Sequence, residues 1–142
     1  MNSRKIIFSV VLLAVTAINC KSCLPAQRTV VGIHTSVTLS SSPFLISSGN
    51  TSSISATVAE VTEWSDGTYT RKPVQGASVI FAVTPLSSCG ALSSDPVPLT
   101  NQAGVTTTKF KGQNNSSQIC HADISGTSGS GSGATGVNVK SQ

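Results

Sequence analysis

Side chains able to do chemistry are scarce in this sequence. Four cysteines, two histidines, three aspartates and two glutamates are spread over 142 residues. Cys20-Lys21-Ser22-Cys23 has the C-x-x-C spacing of a redox pair. Such a pair needs a helix to lower the thiol pKa, inside a βαβ context, and the sequence around Cys20 offers neither. His34 and His121 have no Cys, Asp or Glu at the spacing of a zinc site. Gly129-Ser130-Gly131-Ser132-Gly133 comes near the Gly-x-Ser-x-Gly of a nucleophile elbow but has Gly131 where the central Ser belongs. That elbow requires a strand before it and a helix after it, whereas this one lies in a low-complexity run. Glu60, Glu63 and Asp66 form a small acidic group whose simplest state is a solvated loop. No catalytic set, no metal site and no cofactor is expected.

The remaining chemistry is that of an address. Arg4 and Lys5 precede an apolar run from Ile6 to Ala17, interrupted by Ser9 and Thr16. Twelve residues suit the hydrophobic region of a signal peptide and are short for a membrane span of about 20. Two cleavage sites compete. Val15-Thr16-Ala17 has the small residues that ordinary signal peptidase reads. Ala17-Ile18-Asn19-Cys20 looks like a bacterial lipobox, which would make Cys20 a lipidated first residue, with Asn19 and Ala17 as departures from the pattern. Polar residues begin right after Cys20 and favour lipidation. The expected organisation is a signal peptide over 1–19, a tether over 20–30 and one domain over 31–142.

Composition narrows the rest. Lys and Arg number 9 against 5 acidic residues, a net charge of +4. Removing residues 1–19 takes away Arg4 and Lys5 and leaves 7 basic against 5 acidic residues, net +2. The remaining basic residues are scattered apart from Arg71-Lys72 and Lys109/Lys111, with no aromatic interleaving, so no nucleic-acid partner is expected. Only 10% of residues are charged and 4% aromatic. That is too little charge for a coiled coil and too little net charge for a disordered polyelectrolyte.

Twenty-five Ser and sixteen Thr fill a pattern of period two. Ile54, Ala56 and Val58 alternate with Ser55 and Thr57. The same alternation runs through Val79–Val83, Val105–Lys111, Ile119–Ile124 and Val137–Val139. Alternation with β-branched residues predicts strands with one buried and one wet face. Turn chemistry separates them at Ser48-Gly49-Asn50, Asp66-Gly67, Gln75-Gly76, Cys89-Gly90, Asn101–Gly104 and Gly112–Asn115. The run Gly126–Gly136 (GTSGSGSGATG) is expected to be a loop before the last strand, with a disordered tail as the alternative. About seven short strands in this length predict an all-β, immunoglobulin-like antiparallel sandwich.

Four segments, in this order, resemble the bacterial Ig-like domain of group 1, the type repeated in invasin and intimin adhesins. They are Ser53–Val58, Lys72-Pro73-Val74-Gln75-Gly76-Ala77-Ser78-Val79-Ile80-Phe81, Leu99-Thr100-Asn101-Gln102-Ala103-Gly104-Val105-Thr106, and Ile119-Cys120-His121-Ala122. The resemblance covers about residues 34–140. Where that family has a tight turn, Glu60–Arg71 is a longer, hairpin-like excursion holding Trp64 and Tyr69, the only Trp and Tyr. Trp64, Asp66, Tyr69 and Arg71 are therefore a candidate binding loop, set against two rings that simply cover the sandwich edge.

Export makes disulfides plausible. Cys89 follows the Phe81 strand and Cys120 lies on the inward face of a late one, so a Cys89–Cys120 bridge is expected, against two free buried thiols. Cys23 stays unpaired if Cys20 carries lipid. The sequons at Asn50, Asn114 and Asn115 are expected to carry no glycan if the source is bacterial. The resemblance implies an adhesin-like or surface-structural role without catalysis. The expected partners are a protein or surface glycan, and the membrane through lipid at Cys20. The expected place is the outer membrane or cell surface, alternatively the periplasm or medium. An accessory subunit of an envelope secretion or conjugation apparatus is the competing class.

Overall fold

The computed structural model describes residues 27–84, 89–93 and 96–142. The expected signal peptide, Cys20, Cys23 and most of the expected tether lie outside the described residues. Every regular element among the described residues is a strand: β1 (Val30–Ser42), β2 (Leu45–Ser47), β3 (Thr51–Trp64), β4 (Tyr69–Pro73), β5 (Ile80–Thr84), β6 (Gly90–Leu92), β7 (Val105–Gly112), β8 (Cys120–Ser128) and β9 (Gly131–Lys140). They form two sheets. One runs β1-β3-β7-β6, with β4 also paired to β3; the other runs β2-β9-β8-β5.

Nine strands replace the expected seven for two local reasons. The first strand breaks at Ser42-Pro43, a cis peptide bond, and Pro43 has no N–H to give a ladder. After the break the chain changes sheet, and β2 pairs parallel to β9. The second addition is β4, the return arm of the Glu60–Arg71 excursion. Counting β1 and β2 as one broken strand and setting β4 aside leaves seven strands. Four lie in one sheet and three in the other, the immunoglobulin arrangement.

Alternation sets the core. Ile54, Ala56 and Val58 of β3, Phe110 of β7, Ala122 and Ile124 of β8, Val137 and Val139 of β9, and Val79 are all fully buried. Val37 and Leu39 of β1, Ile46 and Phe81 join them. Burying a Val, Ile or Phe side chain contributes roughly 1.5–3 kcal/mol each, which is how short strands with few apolar residues close a sandwich. The wet positions between them carry the Ser and Thr excess. In β3, Thr51, Ser53 and Thr57 are exposed while Ser55 is partly covered.

The glycine-rich run departs from the sequence expectation. Gly126–Ser128 belong to β8 and Gly131–Gly136 to β9, paired in continuous antiparallel register. Gly129 and Ser130 are the two loop residues of a hairpin, with Gly129 at a φ of 55°, the backbone such a first turn position requires. The strand glycines are there because β1 crosses them closely. A Cβ on Gly131 would lie 2.7 Å from the Thr35 carbonyl oxygen, and one on Gly133 would lie 2.5 Å from that of Val37. Composition alone reads as linker, because the crossing that demands small residues is nearly a hundred positions away in sequence.

Cys89 and Cys120 form a disulfide with Cα atoms 5.6 Å apart, closing a separation of 31 residues. It fastens the entry of β6 in one sheet to the start of β8 in the other. Such a loop contributes about 3–4 kcal/mol by restricting the unfolded chain.

Candidate binding surface on the β1–β3–β4 ribbon

Beyond the core, β1, β3 and β4 continue as a three-stranded ribbon. Its rungs are His34–Val61–Arg71, Ile33–Thr62–Thr70 and Gly32–Glu63–Tyr69, ending at Val30–Trp64. Side chains directly across share a face. Gly32, His34, Glu63, Tyr69 and Arg71 therefore lie on one face, and Ile33, Thr62, Trp64 and Thr70 on the other. The structure thus brings Tyr69 and Arg71 together and places Trp64 on the opposite face. Val61 is almost wholly buried yet outside the main core, sheltered on the outer face between the rows of β1 and β4.

Each ring has a polar partner. The Tyr69 hydroxyl donates to Glu63 Oε1 at 3.4 Å. The Trp64 indole N–H donates to Thr70 Oγ1 at 3.2 Å. Trp64 is half-buried and Tyr69 is exposed.

The turn Ser65–Thr68 is organised by Asp66. Its Oδ1 accepts from the Thr68 N–H at 3.0 Å and from the Thr68 hydroxyl at 2.6 Å, an Asx-type turn. Gly67 takes a φ of 77°. The Thr68 hydrogen bonds, with the Arg28 charge as a smaller contribution, hold the Asp66 carboxyl below the usual aspartate range.

Arg28 was not legible as part of this site. Its Nε lies 2.8 Å from Asp66 Oδ2, its guanidinium carbon sits 4.9 Å over the Trp64 ring, and it donates to the Thr68 hydroxyl. Thr29 adds backbone bonds across the turn: its carbonyl accepts from Ser65 N–H at 2.9 Å, and its own N–H donates to Ser65 Oγ at 3.2 Å. An exposed ion pair contributes little alone. Here it is joined by a cation–π contact and a backbone clamp, so the incoming chain is fixed across the hairpin tip.

Midway along β3, beside Val58, the Pro73–Gly76 and Leu99–Val105 segments form a second organised corner. The Thr100 hydroxyl donates to the Val74 carbonyl at 2.6 Å and accepts from the Ala77 N–H at 2.9 Å. Asn101 Oδ1 accepts from the N–H groups of Ala103 and Val105. Gly104 has a φ of 71°, and a Cβ there would lie 2.5 Å from the Val58 carbonyl oxygen. Two segments far apart in the sequence thus interlock at the edge of β3.

One expectation about a single residue changes. His121 has an acidic neighbour after all: alternate positions on β8 put Asp123 Oδ1 3.1 Å from His121 Nε2, while Nδ1 lies 2.7 Å from Asn138 Oδ1. Spacing of two on a strand is same-face spacing, which was the available signal. The Asn138 bond, helped by Asp123, raises the imidazole pKa above its usual value. Among the described residues no group of three or more His, Cys, Asp or Glu could hold a metal ion. Asn114, in a sequon, is buried, and its amide nitrogen donates to the carbonyls of Gln118 and Val139, each at 2.7 Å. It is a structural plug of the β7–β8 connection, closed to modification. Ser132 of the Gly/Ser run stands on β9 beyond a hairpin turn, without the strand-to-helix geometry a nucleophile elbow needs.

No family model matches the chain, and no curated protein matches it. Among solved structures it is similar to one described as the ZirS C-terminal domain, at 16% identity and a TM-score of 0.44, over 99% of this chain and 87% of that one.

Proposed function

We propose that this chain is an exported, lipid-anchored Ig-like module of the bacterial envelope, of the group 1 bacterial Ig-like type, working by contact and without catalysis. The observation that carries the reading is the Cys89–Cys120 bridge between the two sheets. Disulfides persist in oxidising compartments, and small exported domains use them to supplement a modest core. The family resemblance is supported by the corner at Thr100 and Gly104, where the Lys72–Phe81 and Leu99–Thr106 segments that carry it interlock.

In this reading, Cys20 bears the lipid and the sandwich presents its sheet edges and the β1–β3–β4 ribbon, adhesin-like, to a protein or surface glycan. Strand addition at an edge and side-chain contact through Tyr69, Arg71, Trp64 and Asp66 are the two modes available. Crosslinking in intact cells, followed by recovery of the mature protein, tests this. An extracellular protein or glycan recovered with it is the expected result. Recovery only with components of a secretion or conjugation complex would replace the adhesin-like role with that of an accessory subunit.

A further inference from the structure

The ribbon tip gathers exposed aliphatic side chains beside the only Trp and Tyr of the sequence. Val30, Val31, Ile33 and Tyr69 are 50%, 64%, 62% and 59% exposed, and all lie on or beside its last rungs next to Trp64. The other exposed large apolar side chains among the described residues, Phe44, Leu45, Ile80, Val97, Leu99 and Ile119, lie elsewhere on the sandwich with no Trp or Tyr beside them. At the tip Arg28, Arg71 and Lys72 are matched in number by Glu60, Glu63 and Asp66, so the patch is apolar and aromatic within a charge-balanced rim. Aliphatic side chains beside Trp and Tyr suit the boundary between lipid headgroups and acyl chains.

Position selects the occupant. Arg28 and Thr29 are clamped across the hairpin turn, so the chain leading back towards Cys20 departs from the tip itself. The seven residue steps between Cys20 and Gln27 reach at most about 25 Å. The β2–β3 turn and the C-terminal residues, joined through Gln142 Nε2 and the Ser48 carbonyl, lie at the opposite end of β3. That is about 43 Å away at roughly 3.3 Å per residue.

We propose that the apolar tip of the β1–β3–β4 ribbon docks onto the lipid bilayer to which Cys20 ties the chain, holding the sandwich with its far end outward. This rests on the lipid-anchor reading above; with the tip on the bilayer, strand addition at a sheet edge is the mode left for the protein or glycan partner. Since the rim is charge-balanced, docking is driven by apolar burial, needs no anionic lipid and survives high salt.

Trp64, the only tryptophan, is a built-in reporter. The mature protein, extracted from membranes and its mass recorded, is reconstituted into zwitterionic phosphatidylcholine vesicles with brominated acyl chains. The expected result is loss of more than half of the Trp64 emission at low and high salt alike. Val31→Asp and Ile33→Asp, both at exposed positions, restore the emission while the acyl mass stays. Phe44→Asp, an equally exposed apolar position (65%) at the far end, leaves the quenching unchanged. The proposal is overturned if wild-type emission is unquenched, or if Val31→Asp and Ile33→Asp quench as wild type does. It is also overturned by a concentration-dependent emission shift without vesicles, which would assign the tip to a second copy of the chain. If the mass shows no acyl group, the anchor reading fails separately. The unacylated protein mixed with the same vesicles then decides the tip: quenching keeps the docking and its absence ends it.

Discussion

Replacing Gly133 by Ala tests whether the glycine-rich segment is a strand packed under β1. A methyl group there lies 2.5 Å from the Val37 carbonyl oxygen and 3.1 Å from the Val37 carbonyl carbon. Ordinary contact begins near 3.4 Å, so the β1 backbone has to retreat by about 0.9 Å. That oxygen belongs to a strand paired along its whole length to β3 and cannot swing aside as a side chain can. Overpacking of this kind costs about 1–3 kcal/mol, against a gain of about 0.4–1 kcal/mol from stiffening the unfolded chain. Gly126, directly opposite on β8, supplies the control. Its added methyl meets Leu39 Cδ1 at 3.0 Å and Cδ2 at 3.2 Å, atoms at the end of a rotatable side chain. Urea unfolding followed by circular dichroism should show Gly133→Ala destabilised by about 1–2 kcal/mol as the net of those two effects, and Gly126→Ala changed by much less. If Gly133→Ala is as stable as wild type, β1 does not cross β9 as described. The same conclusion follows if the two variants are destabilised equally.

Three further outcomes follow from the same geometry. Reducing the Cys89–Cys120 bridge, or replacing both cysteines by Ser, should cost about 3–4 kcal/mol by the chain-entropy relation, read as a lower urea midpoint for the reduced protein; coincident midpoints would contradict it. Thr100→Val removes a buried hydroxyl that serves both Val74 and Ala77, leaving a partly buried carbonyl and N–H short of a partner, and should cost about 1–3 kcal/mol in the same assay. Two groups give opposite pH dependences. Asp66 has a depressed folded pKa, so its contribution is present above the ordinary value of 3.8 and is lost as pH falls through the folded value. His121 has a raised folded pKa, so its contribution is present below 6.5 and is lost as pH rises through the folded value. Both groups are exposed and the effects are small; comparing Asp66→Asn and His121→Gln with wild type across pH reads the two windows, and a reversed slope in either would refute its assignment.

The sandwich was legible because its signal is local. Alternation at Ile54-Ala56-Val58 and at Cys120-Ala122-Ile124 places one face inward without knowledge of any partner. The cysteine pairing followed from the same faces. What escaped depends on contacts remote in sequence. Gly131 and Gly133 look like linker until β1 lies over them. Arg28 looks like tether until the hairpin turn brings Asp66 and Trp64 beneath it. The break at Pro43 was visible as a residue, but its consequence, a strand shared between two sheets, depends on β9. In the candidate site the hairpin itself was foreseen from its turn residues, whereas the division of Trp64 and Tyr69 between two faces follows from a register that only the pairing of Glu63 with Tyr69 fixes.

The central claim is that Cys20 is the lipidated first residue of an exported, disulfide-stapled module. Intact-mass analysis of the mature protein taken from membranes tests it most directly. The account predicts a chain beginning at Cys20 that carries diacyl or triacyl mass and lacks the two hydrogens of a Cys89–Cys120 thiol pair. A chain beginning at Ile18 with no acyl mass, or one retaining residues 1–19, would contradict it.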